Sequence, residues 1–123
     1  MVTPNIIRGK RILVADDEHT VREAIAMLLG IDDHTVVEAE NGAHALKLYA
    51  EGNFDLVITD FAMPVMKGNE LAVRIKKLNP AQPVLMLTAY AERIGPDNPV
   101  DLVINKPFQL DDLREAIAHI FAS

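Results

Sequence analysis

The sequence predicts a single doubly wound α/β domain, and three observations predict it. Short, almost wholly apolar runs recur along the chain, they alternate with stretches of helical period, and acids stand at the carboxyl ends of two of those runs. Strands without polar alternation are buried on both faces, and strands that alternate with helices call for right-handed parallel crossovers. In such sheets the functional crevice lies beyond the carboxyl ends of the strands. The residues that follow each strand are therefore the ones to read for chemistry.

The first strand is RILVAD, ending at Asp16. Val21, Ala24, Ile25 and Leu28 then repeat at helical spacing, and Gly30 is a natural stop for that helix. HTVVEA is the second strand; Asn41 can cap a helix whose buried stripe is Ala45, Leu46 and Tyr49, ending near Gly52. FDLVITD is the third strand, after which Pro64 and Gly68 punctuate a loop before the stripe Leu71, Ile75, Leu78. PVLMLTA and VDLVIN are the fourth and fifth strands. Leu110, Leu113, Ile117 and Ile120 give a last amphipathic helix whose first turn carries Asp111 and Asp112, the favoured sign at that end. One crossover is irregular: YAERIGPDNPVD holds Gly95, Pro96 and Pro99, which leaves room for a turn or two of helix at most. The expected architecture is a flavodoxin-like, five-stranded parallel sheet of strand order 2-1-3-4-5 with a shortened fourth helix.

Bulk properties narrow the function. A length of 123 residues suits one domain, read here as a short tail over 1–9 and a folded unit over 10–123. The absence of cysteine excludes a disulfide framework and any thiolate metal or redox site. A net charge of −6 argues against nucleic acid as a direct ligand, because phosphate binding draws on clustered Lys and Arg. No apolar run approaches a membrane span, and the cytoplasm is the default location.

Asp16 and Asp17 end the first strand, Asp60 the third and Thr88 the fourth, and Lys106 follows the fifth. The topology gathers all five at one rim. Two carboxylates about 4 Å apart repel by roughly 4 kcal/mol at an effective dielectric near 20, so a group of three needs a positive partner. Lys106 supplies one charge. Oxygen donors without His or Cys suit a hard divalent ion, and a shallow site that keeps waters suits Mg²⁺, with Mn²⁺ as a substitute. Such a site with a lysine and a hydroxyl fits a phosphoryl group, whose charge spreads over three oxygens. Asp60, on the innermost strand, is the best placed nucleophile.

VADDE, ITDFAMPVMKG, LTA and NKPF, in this order and on these strands, resemble the response-regulator receiver domain of two-component signalling, across essentially the whole chain. The resemblance implies that Asp60 is the phosphoacceptor, receiving a phosphoryl group from a sensor histidine kinase or a histidine phosphotransfer domain. It implies that Asp17 ligates magnesium beside Asp60, that Asp16 acts largely through metal-bound water, and that the backbone carbonyl of Ala62 completes the protein ligands. Thr88 becomes the switch hydroxyl and Lys106 the phosphoryl counter-charge, with a cis bond from Lys106 to Pro107. Such a domain is not a separate enzyme; it promotes its own phosphorylation and dephosphorylation. Its downstream target is another protein or a fused output domain.

Two features depart from the family pattern. Val103 stands where a switch aromatic is usual, and only eighteen positions separate Thr88 from Lys106. Both encourage an alternative, a receiver-like interaction module that works unphosphorylated. A phosphatase with an aspartyl nucleophile would want an acid two residues after Asp60, where Ala62 stands, and a flavin or nucleotide binder would want a Gly-rich loop where the first acids stand. Tyr90 is either a surface aromatic or a shield over the crevice. The histidines His19, His34, His44 and His119 lack metal-ligand spacing. Val21 and Ala24, with Pro107 and Phe108, are either a docking patch for the kinase helix or part of the core.

Overall fold

Apolar runs become strands here because burial on two faces rewards them. The computed structural model describes residues 6–95 and 98–122. β1 (Arg11–Ala15), β3 (Leu56–Asp60) and β4 (Val84–Thr88) form the centre of a parallel sheet, and every residue of β3 and β4 is buried. β2 (Thr35–Ala39) and β5 (Leu102–Asn105) are the edges and are only partly covered. The strand order is β2-β1-β3-β4-β5, as expected.

Side chains alternate across the sheet and build two cores. Leu13, Ala15, Val57 and Val84 face one side, where α2 (Gly42–Glu51) and α3 (Gly68–Leu78) cover them. Ile12, Val14, Leu56, Ile58, Leu85 and Leu87 face the other, where α1 (His19–Ile31) and α4 (Leu110–Ala122) bring Ile25, Leu29, Leu113 and Ile117. Between β4 and β5 the described residues hold a single 3-10 turn, Ala91–Arg93, and no α-helix. Pro96, part of the reasoning for that irregularity, lies outside the described residues, as do Met1–Asn5 of the expected tail. Nearer the sheet, Ile7 packs against the α1–α4 core and Gly9 N–H donates to Asp32 O at 3.2 Å.

Several local expectations need correction. Ala24 is exposed, because it lies about 100° around the helix from Ile25, and Leu29 takes the buried place instead. α1 runs through Gly30 and stops at Ile31; the left-handed residue that turns the chain is Asp33, at φ 64°. Leu78 has the right angular position on α3 but is its last residue and stays 61% exposed, while Ala72 is buried. Asn41 does cap α2, its Oδ1 accepting from His44 N–H at 2.7 Å. No described helix is long and apolar enough to cross a membrane.

Candidate functional site

The parallel register delivers the acids to one rim. Ala15 pairs with Thr59, and Asp60 pairs with Leu87, so the ends of β1, β3 and β4 lie side by side. One carboxylate oxygen from each of Asp16, Asp17 and Asp60 lies within 4.8 Å of the others. Lys106 reaches in from beyond β5, with Nζ 3.2 Å from Asp16 Oδ2 and 3.5 Å from Asp60 Oδ1. Thr88 Oγ1, at the end of β4, accepts from Tyr90 N–H at 3.0 Å, and Thr88 O accepts from Lys106 N–H at 2.8 Å. The bond from Lys106 to Pro107 is cis, as expected. Sequence order thus becomes a cluster of three acids, one cation and one hydroxyl.

The three acids are not equivalent. Asp16 is buried and fully engaged: Oδ1 accepts from Glu18 N–H at 2.9 Å, Oδ2 faces Lys106, and its own N–H donates to Ala39 O. Asp17 is exposed, and its carboxylate has no partner among the described residues. Asp60 is buried, with Oδ1 accepting from Phe61 N–H at 2.8 Å while Oδ2 accepts no hydrogen bond among the described residues. Burial pushes the Asp60 carboxyl above the usual carboxylate range; Lys106 pulls it down, Asp16 pushes it up, and the Phe61 N–H opposes the rise. Within the cluster, one ordered carboxylate therefore keeps a free oxygen.

The loop after β3 has the same character. Phe61 O accepts from both Met63 N–H and Gly68 N–H, and Pro64 O accepts from Met66 N–H, whereas Ala62 O accepts no hydrogen bond among the described residues. An all-oxygen set of three carboxylates and one uncommitted carbonyl has the donor chemistry of a hard divalent cation, so the residues present fit magnesium.

Two supporting features escaped the sequence. Gly68 was legible only as loop punctuation, yet a Cβ there would collide with the backbone carbonyl of Asp60, so α3 begins in contact with the acid it supports. Arg22 carried no signal at all. Its Nη1 donates to Asp16 O at 2.7 Å and its Nε to Glu38 at 3.3 Å.

The remaining candidates are placed as follows. Tyr90 is 39% exposed with the Arg93 guanidinium over its ring, which makes it a surface aromatic. Val103 is half-buried on β5, and Val21 and Phe108 pack against the core while Ala24 and Pro107 stay exposed. Met63, Met66 and Met86 are core. His34 is buried, its Nδ1 accepting from Lys10 N–H at 3.0 Å, and burial lowers its pKa.

Known proteins resemble this chain in sequence and in fold. The chain is 37% identical over 111 residues to the transcriptional regulatory protein TcrA of Mycobacterium tuberculosis, covering 87% of this chain and 44% of that protein. It is also 37% identical to the response regulator receiver protein CpdR of Brucella abortus, covering 88% of this chain and 93% of that one. The chain thus spans less than half of TcrA and nearly all of CpdR. Among solved structures, the response regulator TrrA of Thermotoga maritima, crystallised in complex with Mg²⁺ and BeF, superimposes with a TM-score of 0.85 at 37% identity, covering 90% of this chain and 98% of that one. TrrA has also been crystallised in complex with the histidine kinase ThkA. The sequence profile of the response regulator receiver domain matches residues 12–118, and with the acids, the lysine and the strand order as found, the chain belongs to that family.

Proposed function

We propose that this receiver domain takes a phosphoryl group onto Asp60 in a magnesium-dependent reaction, with the phosphohistidine of a sensor histidine kinase or a histidine phosphotransfer domain as donor. The observation that carries the reading is the free Oδ2 of a buried Asp60, held beside Lys106 in a cluster of three carboxylates. Attack by Asp60 forms a P–O bond as the P–N bond to the donor imidazole breaks; the ring leaves neutral, its other nitrogen keeping a proton. Lys106 and Thr88 would each take a phosphoryl oxygen, the lysine as a cation and the threonine by turning its hydroxyl proton outward. Asp16, Asp17, Asp60 and Ala62 O would hold Mg²⁺, which supplies charge neutralisation for the transferring group.

The kinase partner is supported by the complex formed by TrrA, and the metal by the Mg²⁺ and BeF in its other structure. Output would pass to a downstream protein or to a fused domain, of the kind that the greater length of TcrA allows. The domain would act in the cytoplasm, without nucleic acid or membrane as a direct ligand.

A second reading, an interaction module that works unphosphorylated, is favoured by the short crossover between β4 and β5, which holds a 3-10 turn among the described residues, and by Val103. Incubation with MgCl₂ and a small phosphodonor separates the two. One added phosphate by mass spectrometry, lost in Asp60→Asn and without magnesium, is the expected result. No adduct with any donor would leave the second reading standing.

A further inference from the structure

We propose that Arg22 is a positioning residue for the acid cluster: its guanidinium pins the β1–α1 turn to β2 and so sets the direction of the Asp17 carboxylate. The inference rests on the reading of Asp16, Asp17 and Asp60 as a magnesium site. Three nitrogens of one side chain reach three segments. Nη1 donates to Asp16 O at 2.7 Å, Nε donates to Glu38 Oε1 on β2 at 3.3 Å, and Nη2 lies 3.2 Å from His19 Nδ1 in the first turn of α1. The side chain is only 12% exposed, so water competes little for these bonds.

The need for such a clamp lies in Asp17. Its carboxylate is exposed and without a partner among the described residues, so its aim depends on the backbone that carries it. Asp16 O belongs to the rigid peptide plane that joins Asp16 to Asp17. Every other polar group of Asp16 is already tied: the N–H to Ala39 O, Oδ1 to Glu18 N–H and Oδ2 to Lys106. Arg22 closes the set at the carbonyl, and fixing that oxygen fixes the plane from which Asp17 departs. Glu38 offsets the guanidinium charge, so the clamp adds little positive potential beside the cation's place.

The sign of the effect distinguishes positioning from charge. Removing a cation near an acid cluster favours Mg²⁺ binding by simple electrostatics, whereas loosening the turn disfavours it. The test is calorimetric titration of the 123-residue chain with MgCl₂, in wild type, Arg22→Ala, Arg22→Lys and Glu38→Gln, alongside melting temperatures measured without magnesium. Arg22→Ala is expected to weaken Mg²⁺ binding by about tenfold, the lower end for residues that orient metal ligands. Arg22→Lys should recover only part of this, because an ammonium keeps the charge but cannot reach three segments at once. Glu38→Gln, which leaves the guanidinium charge unbalanced, should weaken binding less than Arg22→Ala does; a greater loss would make charge the cause and overturn the proposal. If Arg22→Ala does not fold, Arg22→Lys, which keeps the charge, carries the decision.

Unchanged affinity with a lower melting temperature would make Arg22 merely structural, and tighter binding would make it merely electrostatic; either overturns the proposal. Wild type that binds Mg²⁺ while all variants match it sinks the inference alone. Wild type that takes up no Mg²⁺ sinks the magnesium site, and the inference with it.

Discussion

The two ends of the sheet each hold buried carboxylates, and they are treated in opposite ways. At the amino ends of the strands, Asp32 receives a two-pronged guanidinium from Arg114, with Nη2 at 2.8 Å and Nε at 2.9 Å. The hydrogen bonds from Arg114 hold the Asp32 carboxyl below the usual carboxylate range despite its burial. At the carboxyl ends, Asp60 faces Lys106 across 3.5 Å, shares it with Asp16, and has its pKa raised, with burial as the largest cause. One end satisfies its charge internally. The other leaves a deficit of positive charge and an unbonded oxygen, which is what the proposed site for a cation and a phosphoryl group would require. The difference teaches that burial alone does not distinguish two acids; how completely each is paired does.

The largest effect should come from removing the rigid backing of the rim. Gly68→Ala forces a methyl group against the Asp60 carbonyl, and the backbone on both sides must shift. We expect a loss of about 3 kcal/mol in urea unfolding, because overpacking against main chain has no soft side chain to absorb it. Normal stability would show that α3 can slide away from Asp60 without cost.

Asp32→Ala comes next. Loss of a buried, bidentate partner should cost roughly 2 kcal/mol, below the usual figure for a buried pair because Arg114 is partly exposed and can turn to water. Phosphate uptake by the folded variant should be unaffected, since the pair lies at the far end of the sheet. A change in stability smaller than that caused at the rim by Asp60→Asn would erase the contrast between the two ends.

Asp60→Asn should have the opposite sign. Without magnesium it is expected to stabilise the domain by on the order of 1 kcal/mol, relieving a buried charge that Lys106 only partly offsets. The pH dependence sharpens this. A raised carboxyl binds protons more tightly when folded, so wild type loses stability as pH rises above about 4 and Asp60 ionises in the fold. The lowered Asp32 does the reverse: its contribution is present above about pH 4 and is lost as pH falls through its folded value. The advantage of Asp60→Asn should therefore grow between about pH 4 and pH 7, while the penalty of Asp32→Ala should shrink in acid. An advantage independent of pH would mean that charge is not its origin.

Much of the rim was legible because its chemistry needs particular residue types at strand ends. Asp16, Asp17, Asp60, Thr88 and Lys106 lie where the alternation of strands and helices put them. The differing states of the acids were not legible: burial separates Asp16 from its neighbour Asp17, and only the turn geometry decides which is engaged. The Asp32 to Arg114 pair spans 82 positions and has no local pattern. Helix stripes gave the faces, Ala24 aside, but not their ends, as Leu78 shows, since angular period says nothing about how far the sheet extends beneath a helix.

The smallest expected effect concerns the two non-glycine residues that take a left-handed conformation among the described residues, one at each end. Asp33, at φ 64°, turns the chain after α1, and aspartate tolerates this region. Val65, at φ 69° in the loop after β3, does not: a β-branched side chain is strained there, and this one is 96% exposed and recovers little by burial. Val65→Gly should remove the steric strain while adding chain entropy to the unfolded state, for a net gain of about 0.5 kcal/mol. Asp33→Gly should change stability less, because less strain is present to relieve. Equal responses at the two positions would show that the rim carries no more backbone strain than the base. A larger gain at Val65, read together with the incompletely paired Asp60, would place both stored costs on β3 and the loop that follows it, the arrangement expected where strain is kept for function and not for stability.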